Sequence, residues 1–179
     1  MIRRIASALA AAGLLAACGS SAASPRQLPA FDAPEPARWI NSEPLTTASL
    51  RGRPVLVEFW AFGCSNCRNT LPWLKQVADR YSDQGFAIVA VHTPEFASER
   101  GRPAVARAVE RLGIRYPVLI DDDSRFWSAM SNRYWPAFYL VDARGRVVLF
   151  PVQLVALLAS FALSPPAIRA WRAAGHRRG

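Results

Sequence analysis

The stretch Val55-Leu-Val-Glu-Phe-Trp-Ala-Phe-Gly-Cys-Ser-Asn-Cys67 decides how the chain is read. Residues 55–59 are branched or aromatic except at Glu58 and apolar on both faces, which predicts a strand buried in a parallel sheet. Two cysteines follow, Cys64 and Cys67, and then residues 68–81, whose Leu71, Leu74, Val77, Ala78 and Tyr81 fall at helical spacing. The pair therefore stands at a helix N-terminus. There the unpaired N–H groups and the macrodipole favour an anion, so the first thiol is acidified toward a nucleophilic thiolate.

Working outward, Gly85 stops that helix and residues 86–92 form a second buried strand, so strand, helix and strand make a right-handed parallel crossover. Residues 103–112 read as a helix with Pro103 in its first turn, ended by Gly113. Residues 116–120 are a short strand, and residues 121–123 offer an N-cap to a helix over 124–130. Two last strands, 138–141 and 147–150, flank Asp142-Ala-Arg-Gly145, a hairpin with glycine where a positive φ is needed.

A chain of 179 residues suits one domain with a sizeable core. The formal charge of +9 is concentrated at the ends: residues 19–150 hold 16 Lys and Arg against 13 Asp and Glu, a balance of +3. No basic stripe with interleaved aromatics marks a nucleic-acid face, so nucleic acid is excluded as a partner.

Residues 1–17 carry Arg3 and Arg4, then an apolar run too short to span a bilayer, the pattern of a secretory signal. Leu15-Ala-Ala-Cys18 resembles a bacterial lipoprotein processing box, which implies lipidation of Cys18; ordinary cleavage near Ala22 or Ala23 is the alternative. Lipidation leaves Cys64 and Cys67 as the one remaining pair of the three cysteines, in a compartment that permits disulfides. Residues 18–36, rich in Ser, Ala and Pro, read as a flexible tether, and residues 37–150 as the domain. The tail, residues 151–179, is apolar over 152–163, is stopped by Pro165-Pro166 and ends rich in arginine; it is either a helix on the sheet or an appendage.

Glu58-Phe-Trp-Ala-Phe-Gly-Cys-Ser-Asn-Cys67 resembles the redox site of the thioredoxin superfamily. The Cys-x-Asn-Cys pair followed by Thr70-Leu71-Pro72 is most similar to the TlpA-like and DipZ-like envelope thioredoxins. Val91-His-Thr-Pro-Glu-Phe96 and Asn132-Arg-Tyr-Trp-Pro-Ala137 extend the likeness over residues 39–150. The resemblance implies an α/β, thioredoxin-like fold with a mixed central sheet flanked by helices and an N-terminal lead-in hairpin over residues 39–50. It implies a thiol-disulfide oxidoreductase of the bacterial cell envelope, leaning toward a reductant, with protein thiols and disulfides as substrates and a membrane electron donor as a further partner. Its working group is the Cys64-Cys67 disulfide, with no metal or organic cofactor.

Helix geometry makes Cys64 the attacking thiol and Cys67 the shielded, resolving one. An acid in an apolar strand has a raised pKa, and the resemblance makes Glu58 the acceptor of the Cys67 proton. It also makes Pro136 a cis proline opposite the pair. Trp60 and Trp135 flank these elements and are candidates to line a substrate groove.

Each residue has a plainer reading beside this one. The cysteines fit half a zinc site or a structural disulfide, although zinc needs two more ligands and the chain has only His92 and His176. Glu58 fits an edge position reaching water, Pro136 an ordinary trans turn, the tryptophans core, and Arg68 either a thiolate partner or a solvated helix-face charge. Two rival functions are a thiol peroxidase and a copper-binding module using Cys64, Cys67 and His92.

Overall fold

The computed structural model describes residues 26–149. The leader with Cys18 and the tail from residue 150 lie outside the described residues. Among the described residues the strands are β1 (Trp39–Ile40), β2 (Val55–Trp60), β3 (Ala87–His92), β4 (Val118–Ile120), β5 (Ala137–Val141) and β6 (Val147–Leu149), and the helices α1 (Ser65–Tyr81), α2 (Arg102–Leu112) and α3 (Arg125–Ala129). The strands form one mixed sheet in the order β1-β4-β3-β2-β5-β6. β2 pairs parallel with β3 and antiparallel with β5, so it is central and all six of its residues are buried.

Alternation along β2 divides the core into two layers. Leu56 and Trp60 join Cys67, Leu71, Leu74, Ile88, Ala90, Val105, Val109 and Tyr116 on the α1 side. Val55, Val57 and Phe59 join Phe31, Trp39, Leu119, Phe126 and Tyr139 on the other. The expected crossover from β2 through α1 to β3 is present, and Gly145, at φ 79°, turns the β5–β6 hairpin where a side chain would be strained. α3 is one residue shorter than expected at each end, with Ser124, at φ 56°, as its N-cap and Met130 as its C-cap. Asp121, within the expected capping residues, accepts the N–H groups of Phe126 and Trp127.

The segment read as a tether is in part core. Leu28, Phe31 and Ala33 are buried, and Phe31 packs on Trp39 and Phe126 with ring centroids 5.5 and 4.8 Å apart. Backbone bonds from Leu28 N–H to Gly145 C=O (2.8 Å) and from Val147 N–H to Arg26 C=O (2.7 Å) fasten it beside β6. Leu28 and Phe31 thus reach apolar slots in the second core layer although prolines interrupt the segment. Of the lead-in over residues 39–50, β1 pairs with β4 and covers that edge of the sheet, as expected, while Gln27, ahead of it in the chain, bridges Arg146 near the opposite edge.

Candidate active site

Where β2 ends, the backbone turns sharply into α1. Cys64 N–H donates to Ala61 C=O at 3.2 Å, closing a turn through Phe62 and Gly63. Cys64 is the N-cap, and its Sγ accepts the Cys67 N–H at 3.2 Å, so sulfur occupies the place where a capping oxygen commonly satisfies the first turn. The two cysteines are disulfide-bonded, with Cα atoms 5.3 Å apart. Cys64 is half-buried while Cys67 is 0% exposed, so an incoming thiol or disulfide has access to Cys64 alone.

Glu58 lies on the same face of β2 as Leu56 and Trp60, the face that Cys67 packs against. It is 0% exposed, and neither carboxyl oxygen has a hydrogen-bond partner among the described residues. Burial without compensation penalises the charged form and pushes its pKa up to about 8. A carboxyl in that range changes protonation near neutral pH, which an ordinary glutamate does not.

The rim opposite is built by β5. Phe59 pairs with Ala137, which sets Pro136 across from the end of β2, and the Trp135–Pro136 peptide is cis. Trp135 is half-buried; its indole N–H donates to Thr93 C=O at 3.0 Å and its ring packs on Trp127 at 4.2 Å. Behind it, the wholly buried Asp121 accepts from the Thr93 hydroxyl (3.1 Å), Phe126 N–H (3.0 Å) and Trp127 N–H (2.9 Å). Burial holds the Asp121 carboxyl above its usual range in spite of these donors. The network fixes the Trp135 wall to both β3 and α3.

A family model described as the AhpC/TSA family matches residues 25–150. The chain belongs to the AhpC/TSA family. Within that breadth, protein DipZ of Mycobacterium tuberculosis is 43% identical over 112 residues, which are 61% of this chain and 16% of DipZ. Thiol-disulfide oxidoreductase YkuV of Bacillus subtilis is 28% identical over 109 residues, 61% of this chain and 73% of YkuV. The solution structure of a thioredoxin-like protein in the oxidised form superimposes with a TM-score of 0.68 at 25% identity, covering 83% of this chain and 97% of that one. The fold is thioredoxin-like. The chain spans only 16% of the length of DipZ.

In this AhpC/TSA member the structure gathers Cys64, Cys67, Glu58, Trp135 and Pro136 around the end of β2. Trp60 is a correction: its side chain is 0% exposed, so it forms the floor of the core and offers no groove surface. Its place at the last register position of a central strand, paired with His92, is the reason. Half-buried Phe62 and exposed Phe96 stand nearer to solvent. His92 is also internal, stacked on Phe62 (5.4 Å) and edge-on to Trp60 (5.1 Å), and burial lowers its pKa to about 4. The copper set does not assemble, because among the described residues no group of three His, Cys, Asp or Glu side chains is placed to hold a metal ion.

Arg68, exposed on α1, donates to Phe62 C=O (3.0 Å) and Gly63 C=O (2.8 Å). Sequence reasoning missed Glu99, which sits 2% exposed beside the same turn. Its signal was an acid at the third position of a helical turn, the place from which a side chain returns to cap N–H groups.

Proposed function

We propose that the chain is a thiol-disulfide oxidoreductase of the bacterial cell envelope, working as a reductant and anchored through a lipid on Cys18. The exchange reading is carried by one asymmetry: an accessible sulfur at the helix start, bonded to a wholly buried one that packs on the same sheet face as a buried carboxyl. The name of YkuV, matched over 73% of its length, supports the same chemistry. The Cys18 anchor and the membrane electron donor rest on the leader sequence and the family resemblance.

In the reducing direction the Cys64 thiolate attacks one sulfur of a substrate disulfide, forming a mixed disulfide and releasing the other substrate sulfur as a thiolate that takes up a proton. Cys67 then gives its proton to the Glu58 carboxylate, and its thiolate attacks Cys64 Sγ. The Cys64–Cys67 bond forms, the bond to substrate breaks, and the second substrate thiol leaves. Two electrons pass to the substrate. Pro136 and Trp135 provide the edge against which the substrate backbone lies. A carboxyl with a pKa of about 8 serves both directions, since near neutral pH it is populated with and without its proton.

The test is equilibration of the protein with a series of glutathione buffers, followed by quantification of the Cys64 and Cys67 thiols. A pair more reducing than glutathione fits the proposal. A pair that stays reduced in buffers as oxidising as about −120 mV belongs to an oxidant, and one that never exchanges belongs to neither.

A further inference from the structure

The turn that delivers Cys64 is held from two sides by side chains of opposite charge. On one side the Glu99 carboxyl accepts three backbone N–H groups, Gly63 at its Oε1 (2.6 Å) and Glu95 and Phe96 at its Oε2 (2.6 and 3.0 Å). On the other the Arg68 guanidinium bonds the carbonyls of Phe62 and Gly63. Gly63 is therefore gripped at both its N–H and its C=O. A Cβ at Gly63 would come within 2.4 Å of Glu99 Oε1, so a side chain there would have to displace the carboxyl that grips the turn. Three bonds are more than the single short 310 turn Ala97–Glu99 requires for its own cap, and one of them crosses 36 positions to the residue before the nucleophile.

The geometry points to Glu99 and Arg68 as a paired charge clamp, two positioning residues that fix the Phe62–Gly63 backbone and set the acidity of the Cys64 thiol in opposite directions. This rests on thiol-disulfide exchange being the activity. Neither residue touches substrate sulfur. Glu99 works against the helix N-terminus: its negative charge, which also favours the charged form of His92, disfavours a thiolate one residue beyond Gly63. Arg68 favours the thiolate. A less stabilised thiolate makes the reduced pair easier to oxidise, so Glu99 pushes the dithiol toward the reductant end of its range.

Ionisable groups on the elements around Cys64 are few. Glu99 comes from the loop after β3, with Glu95 exposed beside it; Arg68 comes from α1, His92 from the end of β3, Glu58 from β2 and Asp122 from the loop after β4. The loop before β5 adds exposed Arg133 and Tyr134. Of these, Glu99 and Arg68 bond the turn itself.

The experiment follows alkylation of the fully reduced protein against pH, which reads the Cys64 pKa, together with the glutathione equilibrium. Glu99→Gln is expected to lower the Cys64 pKa by about one unit. It should also shift the equilibrium about threefold toward the dithiol, about 14 mV for a two-electron couple. Arg68→Gln is expected to raise the pKa, and Glu99→Asp, a carboxylate on a shorter stem, to fall between native and Glu99→Gln. Opposite signs separate a charge clamp from simple loosening of the turn, which moves both variants the same way. Shifts of the same sign, or none, overturn the inference. Arg68 is exposed, so Arg68→Gln keeps the test decisive even where Glu99→Gln does not fold: an unchanged or lowered Cys64 pKa in it is fatal to the clamp. If native protein does not exchange with glutathione at all, the exchange reading fails instead, and the alkylation profiles still decide the clamp.

Discussion

Cys67 donates its N–H to Sγ of Cys64 across 3.2 Å, while its own sulfur is sealed beneath α1. The same helical turn thus stabilises negative charge on one sulfur and withholds water from the other. In the reduced protein, Cys64 is expected to titrate below the ~8.5 reference of a free cysteine and Cys67 above it. Alkylation kinetics with each single Cys→Ser variant measures both. Two equal values contradict the asymmetry.

Glu58 and His92 should shape stability against pH in opposite senses. Glu58 holds its proton to about pH 8 in the fold, against 4.5 when unfolded, so its contribution is complete below 4.5 and is lost as pH rises to 8. His92 resists protonation to about pH 4, against 6.5 when unfolded, so its contribution is complete above 6.5 and is lost as pH falls to 4. Each has a slope of roughly 1.4 kcal/mol per pH unit within its window, before the contributions of other groups. Between pH 4.5 and 6.5 the two offset each other. Above 6.5 the native protein is expected to weaken toward pH 8, and Glu58→Gln is expected to remove that decline. Denaturant melts of the oxidised protein at several pH values check it, and an identical decline in Glu58→Gln counts against a buried, protonated Glu58.

Phe31 gives a stability test of the N-terminal segment. It is 3% exposed and contacts Trp39 and Phe126, so Phe31→Ala should cost about 3 to 5 kcal/mol, the range for emptying a packed aromatic site. A change within about 0.5 kcal/mol, usual for an exposed position, would return residues 26–36 to the status of a tether.

What was legible in the chain follows from what a local pattern can encode. β2, α1 and the crossover to β3 were readable because their period and their stop residues are local, and Cys64, Cys67 and Glu58 announce themselves by residue type. Leu28 and Phe31 were not, since isolated apolar residues among prolines gain their meaning from slots made by β6 and α3, far along the chain. Trp60 was misjudged for a related reason: it takes the face that Cys67 packs against, but it ends a central strand paired with His92 and is wholly buried, and nearness to the cysteines in sequence says nothing of burial. Glu99 stayed hidden because its partner, the Gly63 N–H, is a backbone group 36 positions away.

Membrane attachment has its own test. With Cys18 as the lipid-bearing residue, Cys18→Ser is expected to leave the membrane fraction or to accumulate unprocessed. A Cys18→Ser protein that still sediments with membranes at the mature size contradicts the anchor.

The central claim, an exposed attacking Cys64 and a buried resolving Cys67, is tested most directly by trapping. Each single variant, Cys67→Ser and Cys64→Ser, is reduced, incubated with a disulfide-bonded protein and resolved on a non-reducing gel. Cys67→Ser is expected to accumulate a mixed disulfide, because nothing displaces the substrate from Cys64, and Cys64→Ser to accumulate almost none. Trapping by Cys64→Ser in place of Cys67→Ser would invert the roles, and trapping by neither would contradict thiol-disulfide exchange at this site.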